Sequence, residues 1–430
     1  MRALRFAAWA GLALAGTADA RQSPPEQAPA QTQPGQTAAQ AAPEPANSLR
    51  PPLTLQAALD LADKQNLDLA ATRLRRAVAL AGMRVAGQIP NPNISFSASR
   101  DDPHESLMIV QTLELGTKRS RRIGVAQQER ALTDLESATV AQQIRRQVRE
   151  AYYDVAEGHA ETQRQEQLLE LAERLSKIAK DRFEAGSVAQ LEVEQAELEA
   201  ERARVDYRLA REREKVSQSL LSALLNEPAT TVWTLAGSLE DALPAVTLPD
   251  LIARAYQSNP ELAHLAQELK VEQSRTGLLK AERVPNVDLG VGGDFNSASY
   301  NAALRGQIAF NVPLFSRNQG ELAQSSALQR FLEAEWSATR RTVAGKVEAA
   351  YSEWSARSAQ VELYRLKLRP AGRRVENLAE ESYKAGKASI LTVLDARRSV
   401  QDIERAYLDN LAALQAAFAA LEETVGAGLN

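Results

Sequence analysis

The sequence contains no cysteine and very few of the other side chains that bind soft metals. Among 430 residues there are 0 Cys, 3 His and 3 Met. The absence of cysteine excludes disulfides, thiolate metal sites, cysteine nucleophiles and a lipidated cysteine. Because a zinc site needs three or four clustered ligands, the scattered His104, His159 and His264 do not predict one. No catalytic triad spacing or phosphate-binding loop stands out, so we expect neither an enzyme nor a cofactor.

Aromatic residues, excess charge and long hydrophobic runs are also scarce. Aromatics make up 5% of the chain, and 51 basic residues against 55 acidic ones leave a net charge of −4. Nucleic-acid binding proteins are usually strongly basic, so no nucleic-acid partner is expected. The apolar fraction of 44% consists largely of Ala and Leu, which favours long helices. No run after residue 20 is long enough for a transmembrane helix, so a membrane form would have to be a β-barrel.

The N-terminus predicts export. Arg2 and Arg5 precede an apolar run over 6–15, and Ala18-Asp19-Ala20 is a typical cleavage site. We predict a signal peptide over 1–20, and without a following cysteine the mature chain is not a lipoprotein. Residues 21–52 are rich in Pro, Gln and Ala and lack apolar periodicity, which predicts a disordered leader.

The remainder of the chain is a tandem duplication. We predict two copies, over 53–233 and 246–425, joined by a linker over 234–245. Landmarks recur in the same order. They are Pro90-Asn91 and Pro285-Asn286 at an offset of 195, Val148-Tyr152 and Val347-Tyr351 at 199, and FEAGSV from 183 and YKAGKA from 383 at 200.

Each copy predicts a helix, two strands and two very long helices. The first helix is expected from about Thr54 to Gln88, where Pro90 ends it. Apolar residues at three- and four-residue steps predict a rod from about Arg121 to Phe183, and about 62 residues span roughly 93 Å. Pro370 should kink the corresponding rod of the second copy.

The strands alternate apolar and polar residues, a pattern shared by half-buried soluble sheets and by transmembrane barrels. The polar set could face a water-filled lumen. It comprises Asp288, Asp294, Arg305, Gln307 and Asn311. One chain supplies four strands, whereas a closed membrane barrel needs about eight or more, so several chains would be required. Three chains would give twelve strands.

Four motifs resemble the TolC-like outer-membrane efflux family. They are the turns FEAGSV and YKAGKAS, Asn311-Val312-Pro313-Leu314-Phe315 after the last strand, and Glu114-Leu115-Gly116-Thr117-Lys118-Arg119 after the second. The last resembles the ELGGKR stretch of the cobalt–zinc–cadmium (CzcC-like) branch, with Thr117 in place of the second glycine. Pro90-Asn91-Pro92 also resembles that branch.

The resemblance implies a mainly α homotrimer in the outer membrane. Its 12-stranded barrel, with four strands per chain, would continue into a periplasmic α-helical coiled-coil barrel. The expected partners are a periplasmic adaptor, an inner-membrane pump of the resistance-nodulation-division type and outer-membrane lipid. The protein would conduct substrate passively, and heavy-metal cations are the substrate of the CzcC-like branch.

The resemblance also implies two groups of site residues. Adaptor-contacting turn residues would be Gly186, Ser187, Gly386 and Lys387. The tunnel constriction would include Asp395, with Thr392 at the position of a second family aspartate, and Tyr383 and Glu192 at positions that hold the tunnel closed. The family's gate arginine falls on Ala388, so part of that lock is missing.

The sequence also permits other interpretations of the function and of these residues. The same fold serves drug efflux and type I secretion, and a periplasmic coiled-coil adaptor or scaffold would also contain long helical hairpins. The turns could be plain loops, and the constriction residues could be ordinary helix-surface residues. The basic run Lys118, Arg119, Arg121 and Arg122 is expected to be a solvated helix start, with contact to lipid phosphate as the alternative.

Overall fold

The computed structural model describes residues 51–385 and 387–429. The predicted signal peptide and the leader up to residue 50 lie outside this part of the chain. Most described residues are helical, and four strands form one small sheet.

The elements follow the same order twice. The first copy contains α1 (Leu55–Gln65), α2 (Leu67–Ala86), β1 (Asn93–Ala98), β2 (Glu105–Leu113), α3 (Lys118–Glu184) and α4 (Gln190–Leu224). The second contains α5 (Leu248–Ser258), α6 (Pro260–Ala281), β3 (Val287–Phe295), β4 (Ala302–Phe310), α7 (Gln319–Leu363), α8 (Arg369–Lys384) and α9 (Ile390–Val425). The predicted duplication is therefore confirmed in the architecture.

The helix predicted before the first strand is in fact two helices. Asn66 separates α1 from α2 with an extended ψ of 127° and caps α2 with its side chain. Asn259 does the same between α5 and α6. The apolar periodicity runs through both helices of each pair and does not reveal the break.

The four strands form one antiparallel sheet in the order β1-β2-β3-β4. The central pairing of β2 with β3 joins the two copies, with Ile109 opposite Val291. Gly292 faces Met108 in this pairing, and a Cβ there would lie 2.1 Å from the Leu107 carbonyl oxygen. A side chain at position 292 would therefore force β2 and β3 apart.

The long helices pack in pairs. α3 has 67 residues, which corresponds to about 100 Å, and it packs along α4, α6 and α9. Two apolar cores lie beside the short helices. One surrounds Tyr152 and Leu221 of the first copy, and the other surrounds Val347 and Phe418 of the second.

The outgoing rod of the second copy is interrupted where Pro370 was expected to disturb it. A π-helical turn, Tyr364–Leu368, separates α7 from α8. Pro370 lies in the first turn of α8, where its missing N–H costs no internal helix bond. The wider π turn lets the rod continue through the proline.

Candidate functional site: the helix turns and the four-stranded sheet

The first long hairpin reverses in a tight turn between α3 and α4. The Ser187 N–H donates to the Arg182 carbonyl at 2.8 Å, which closes the end of α3. Gly186 has a φ of 71°, a left-handed conformation that glycine adopts without a Cβ penalty. Ser187 itself is exposed.

The second long hairpin reverses with the same bond, 200 positions later. The Lys387 N–H donates to the Ser382 carbonyl at 2.9 Å. Gly386 lies outside the described residues, while Lys387 is exposed. Each turn thus presents a polar side chain to solvent, Ser187 in the first and Lys387 in the second. Their contact with an adaptor stays a prediction.

An arginine links the ends of the two hairpins. Arg182, in the last turn of α3, donates from Nη1 to the Tyr383 hydroxyl at 2.7 Å, and its guanidinium lies 5.3 Å from the Tyr383 ring centroid. Glu192 was predicted to act with Tyr383, but its buried Oε2 has no hydrogen-bond partner among the described residues. The sequence did not identify Arg182, because nothing in one helix indicates which side chain of another it will meet.

Asp395 lies near the start of α9 and is largely unpaired. Its side chain is 76% exposed, and Oδ1 is 3.9 Å from Arg398, at the outer limit of an ion pair. Thr392 lies one turn earlier, where its N–H donates to the Ser389 carbonyl at 3.1 Å. Asp395 therefore presents a weakly compensated negative charge close to the turn, whereas Thr392 adds none.

One face of the sheet carries the polar strand residues predicted to line a lumen. Asp288 and Asp294 of β3 lie on the same face as Arg305 and Gln307 of β4, as the strand register shows. Asn311 follows the last residue of β4.

Two neighbouring side chains hold these aspartates. The Asp288 Oδ1 accepts a hydrogen bond from Thr112 at 2.5 Å, and Asp294 lies 3.4 Å from the Arg305 Nε. Asp294 is buried, and its Oδ1 has no partner among the described residues.

The opposite face of the sheet is apolar and exposed. Its most exposed side chain, Leu304, is 88% accessible. The large apolar residues of this face are Ile94, Phe96, Leu107, Ile109, Leu113, Leu289, Val291, Phe295, Leu304, Ile308 and Phe310. An exposed apolar surface of this extent marks contact with a membrane or another protein.

The basic run at the start of α3 is not simply solvated, which corrects the expectation. Lys118 is buried and donates to the Asn286 side chain. Arg122 forms a two-pronged ion pair with Glu114. Arg119 donates from Nε to the Gly87 carbonyl at 2.6 Å. These bonds tie the start of α3 to the end of α2 and to the strands.

A cavity rich in carboxylates lies between α3, α4 and α9. It was not predicted from the sequence. It measures about 270 Å³, and its charged lining consists of Asp154, Glu157, Glu161, Arg213, Arg405 and Asp409. Burial, followed by the charge and hydrogen bond of Asp409, raises the pKa of Glu157 to about 7. The three- and four-residue spacing of the α3 acids was the available sequence signal.

The described part of the chain contains neither a membrane-spanning helix nor a cluster of metal ligands. No helix over 51–385 and 387–429 has the length and apolar character to cross a membrane. Within those same residues, no group of three or more His, Asp or Glu side chains is arranged to hold a metal ion.

Comparison with known proteins gives one consistent family. The family model described as "Outer membrane efflux protein" matches residues 58–227 and 251–427. The chain is 27% identical over 379 residues to the cobalt-zinc-cadmium resistance protein CzcC of Cupriavidus metallidurans, covering 87% of this chain and 90% of that one.

Solved structures share the fold. CusC aligns with a TM-score of 0.72 at 18% identity, over 87% of this chain and 92% of that chain. The outer membrane protein VceC from Vibrio cholerae aligns with a TM-score of 0.68 at 18% identity, over 87% and 97%. The fold is therefore that of TolC-like channels, with the predicted internal repeat. Because the family model covers most of the sequence in two consecutive segments, the chain belongs to the outer membrane efflux protein family.

Proposed function

We propose that three copies of this chain form the outer-membrane exit duct of a tripartite efflux system for heavy-metal cations. The observation that carries the proposal is the four-stranded sheet. Its outer strands, β1 and β4, each pair with only one neighbour among the described residues. Free strand edges are normally covered or paired. Three sheets joined edge to edge would close a barrel of twelve strands.

The two faces of the sheet support this arrangement. The exposed apolar face would contact lipid, and the polar face would line a water-filled channel. Asp288, Asp294, Arg305 and Gln307 would then lie in the lumen, with Asn311 at its inner rim. The predicted signal peptide would bring the chain to the periplasm before insertion.

The long helices would form the periplasmic tunnel. The longest of them, α3, spans about 100 Å, which matches a duct across that compartment. We propose that the turns at Gly186, Ser187, Gly386 and Lys387 contact the helical hairpin of a periplasmic adaptor. The adaptor would in turn join an inner-membrane pump of the resistance-nodulation-division type.

The same end of the tunnel would contain its constriction. Three Asp395 carboxylates around a threefold axis would attract cations and repel anions. Thr392 would leave this a single ring. The bond between Arg182 and Tyr383 would hold the two hairpins of each chain together, whereas the resemblance implied that Tyr383 and Glu192 hold the tunnel closed.

The name of the relative CzcC supports a metal substrate. Cargo should be held weakly, because conduction requires that an ion leave as readily as it enters. After the predicted signal peptide, the chain contains three histidines and two methionines. We therefore expect transport without a tight metal site.

Two experiments test the proposal. Chemical crosslinking of the detergent-extracted protein should stop at three chains, and a stable monomer without detergent would contradict the duct and favour a scaffold. Deletion of the gene should sensitise cells to cobalt, zinc or cadmium. Sensitivity to organic drugs, or loss of protein secretion, with normal metal tolerance would assign the duct to a different cargo.

Calorimetry of the purified trimer with each metal separates passage from binding. The proposal expects no micromolar site. A tight stoichiometric site would contradict the passive duct, whichever cations the cells export.

A further inference from the structure

The apolar face of the sheet does not end with β4. It continues into the segment that follows, where Val312 is 49% exposed, Leu314 63% and Phe315 91%. An almost fully exposed phenylalanine is unfavourable in water. The segment is therefore an apolar projection at the junction of the sheet with the helices.

Side-chain hydrogen bonds hold this projection in a defined shape. Arg317 donates from Nε to the Pro313 carbonyl at 3.1 Å, and Gln319 donates to the Phe315 carbonyl at 2.9 Å. Arg283, at the end of α6, donates from Nε to the Arg317 carbonyl at 2.9 Å. These bonds fix the backbone on both sides of Phe315 in a conformation that leaves the ring exposed. The exposed ring indicates a surface that contacts an apolar partner.

Two arginines lie at the same junction. Arg283 and Arg317 contact each other through the bond above. Gly116, just before α3, lies against Val284, so the two copies meet here. Both arginines are exposed.

Both arginines are anchored through Nε to a backbone carbonyl. Neither forms an ion pair with a carboxylate of residues 51–385 or 387–429, unlike Arg122, which pairs with Glu114. The two terminal nitrogens of each guanidinium therefore remain available to a ligand. A fixed guanidinium plane with free terminal nitrogens suits two-pronged recognition of phosphate oxygens.

We propose that Arg283, Arg317 and Phe315, here called the arginine patch, bind the headgroup phosphate of an anionic phospholipid. Phe315 inserts among the upper acyl-chain carbons, and the guanidinium groups contact the phosphate above it. This inference rests on the proposed membrane location of the sheet, and it identifies the lipid class and the residues that bind it.

The direct test is lipid binding to the detergent-solubilised full-length protein, measured by native mass spectrometry. Phosphatidylglycerol is titrated against diacylglycerol, which has the same tails without the phosphate. The wild type should retain phosphatidylglycerol and lose diacylglycerol. The Arg283→Gln, Arg317→Gln double variant should bind phosphatidylglycerol about 25-fold more weakly, at about a factor of five for each charge.

Three further measurements keep the outcome decisive. Arg341→Gln removes an exposed arginine from the middle of α7 and should leave lipid binding unchanged. Phe315→Ser should weaken phosphatidylglycerol binding while leaving the arginines in place. Excess inorganic phosphate should not displace the lipid, because the proposed site requires the acyl chains as well; full displacement would identify a free-phosphate site and overturn the lipid assignment.

Other results would also overturn it. Equal losses in the double variant and in Arg341→Gln would show a general charge effect. Dissociation of the trimer in the double variant, with lipid binding per chain retained, would assign the patch to a contact between chains.

Channel conductance in a planar bilayer separates this inference from the proposed function. If the wild type conducts and the double variant binds phosphatidylglycerol as tightly as the wild type does, the arginine patch is contradicted and the duct is not. A wild type that neither forms trimers nor conducts would contradict the duct.

Discussion

Two equivalent asparagines, Asn66 and Asn259, each join a pair of helices. Both are buried, and each side chain accepts a bond at the start of one helix while donating to a carbonyl near the end of another. The acceptor bonds come from the Leu69 and Leu262 N–H groups, and the donated bonds reach the carbonyls of Leu224 at 2.9 Å and Thr424 at 2.8 Å. A cap and a cross-helix bond are therefore lost together.

We expect Asn66→Ala to lower the free energy of unfolding by about 2 kcal/mol, since it removes a cap and leaves a buried carbonyl unpaired. Asn66→Ser should cost less than alanine, because serine keeps a capping oxygen at the start of α2. Asn259→Ala is the matched variant in the second copy. Denaturant unfolding measures all three, and an alanine variant as stable as the wild type would contradict the assigned role.

Asp395 provides a functional prediction at the same scale. Its exposed carboxylate is nearly unpaired, so three copies around a narrow tunnel would favour cations. Asp395→Ala should weaken cation selectivity and block by multivalent cations in a planar bilayer. The control is Asp60→Ala, which removes an exposed aspartate from α1, outside the long hairpins. Equal selectivity in the wild type and in Asp395→Ala would show that Asp395 does not line the conduction path.

Among the elements, α3 and α9 meet through a pair of acids that cannot both be charged without repulsion. Glu157 and Asp409 lie in one cavity with Asp154 and Glu161, and Arg213 and Arg405 are the basic groups of its lining. Burial and Asp409 raise the pKa of Glu157 from its ordinary 4.5 to about 7. The folded protein thus retains a proton on Glu157 that the unfolded chain releases.

The sign of the pH dependence follows. Between about pH 4.5 and about pH 7 the folded state binds more protons at this site, so its contribution to stability falls as pH rises and is lost above pH 7. Glu157→Gln resembles the protonated acid. It should remove this slope and raise the thermal midpoint at about pH 8 by about 2–4 °C.

The matched control is Glu170→Gln, which changes an exposed glutamate on the same helix. It should retain the wild-type dependence of stability on pH. Thermal unfolding in detergent at several pH values measures both variants. A Glu157→Gln protein with the wild-type pH dependence would show that Glu157 does not carry the extra proton.

The order of the elements was predictable because periodicity reports which side of a helix or strand is buried. The four strands, both long hairpins and the interruption near Pro370 were all expected from one-dimensional patterns. The pattern did not indicate that β1, with six residues, is shorter than the other three strands, which have nine each.

The side-chain contacts were less predictable, because they join residues that are far apart in the chain. Arg182 meets Tyr383 across 201 positions, and Lys118 meets Asn286 across 168. Neither helix carries a pattern that names its partner. The prediction that the basic run is solvated was therefore wrong for Lys118 and Arg122. Their partners, Asn286 and Glu114, lie in the segments next to β3 and β2.

For the whole molecule, the register of the two copies changes within one long helix. Val148 and Tyr152 recur at an offset of 199, whereas the turn sequence that begins at Phe183 recurs at 200. The π-helical turn Tyr364–Leu368 lies between the corresponding positions of the second copy. A π turn accommodates one residue more than the α-helix around it.

A deletion tests this correspondence. Removing Leu366, which is exposed, together with Pro370→Ala should give a continuous α-helix with little loss of stability, because residues on either side keep their faces. Removing Gln167 from the uninterrupted α3 should be strongly destabilising, since it rotates all later residues by about 100°. Thermal unfolding and circular dichroism compare the two, and equal damage would contradict the correspondence.

The π turn marks the place where the coding sequences of the two halves differ by one codon between Val148 and the hairpin end. The helix accommodates the added residue within one wide turn, so the buried face before it and the hairpin end beyond it match those of the first copy. Pro370 lies next to that turn, at a position where the first copy has an unbroken helix.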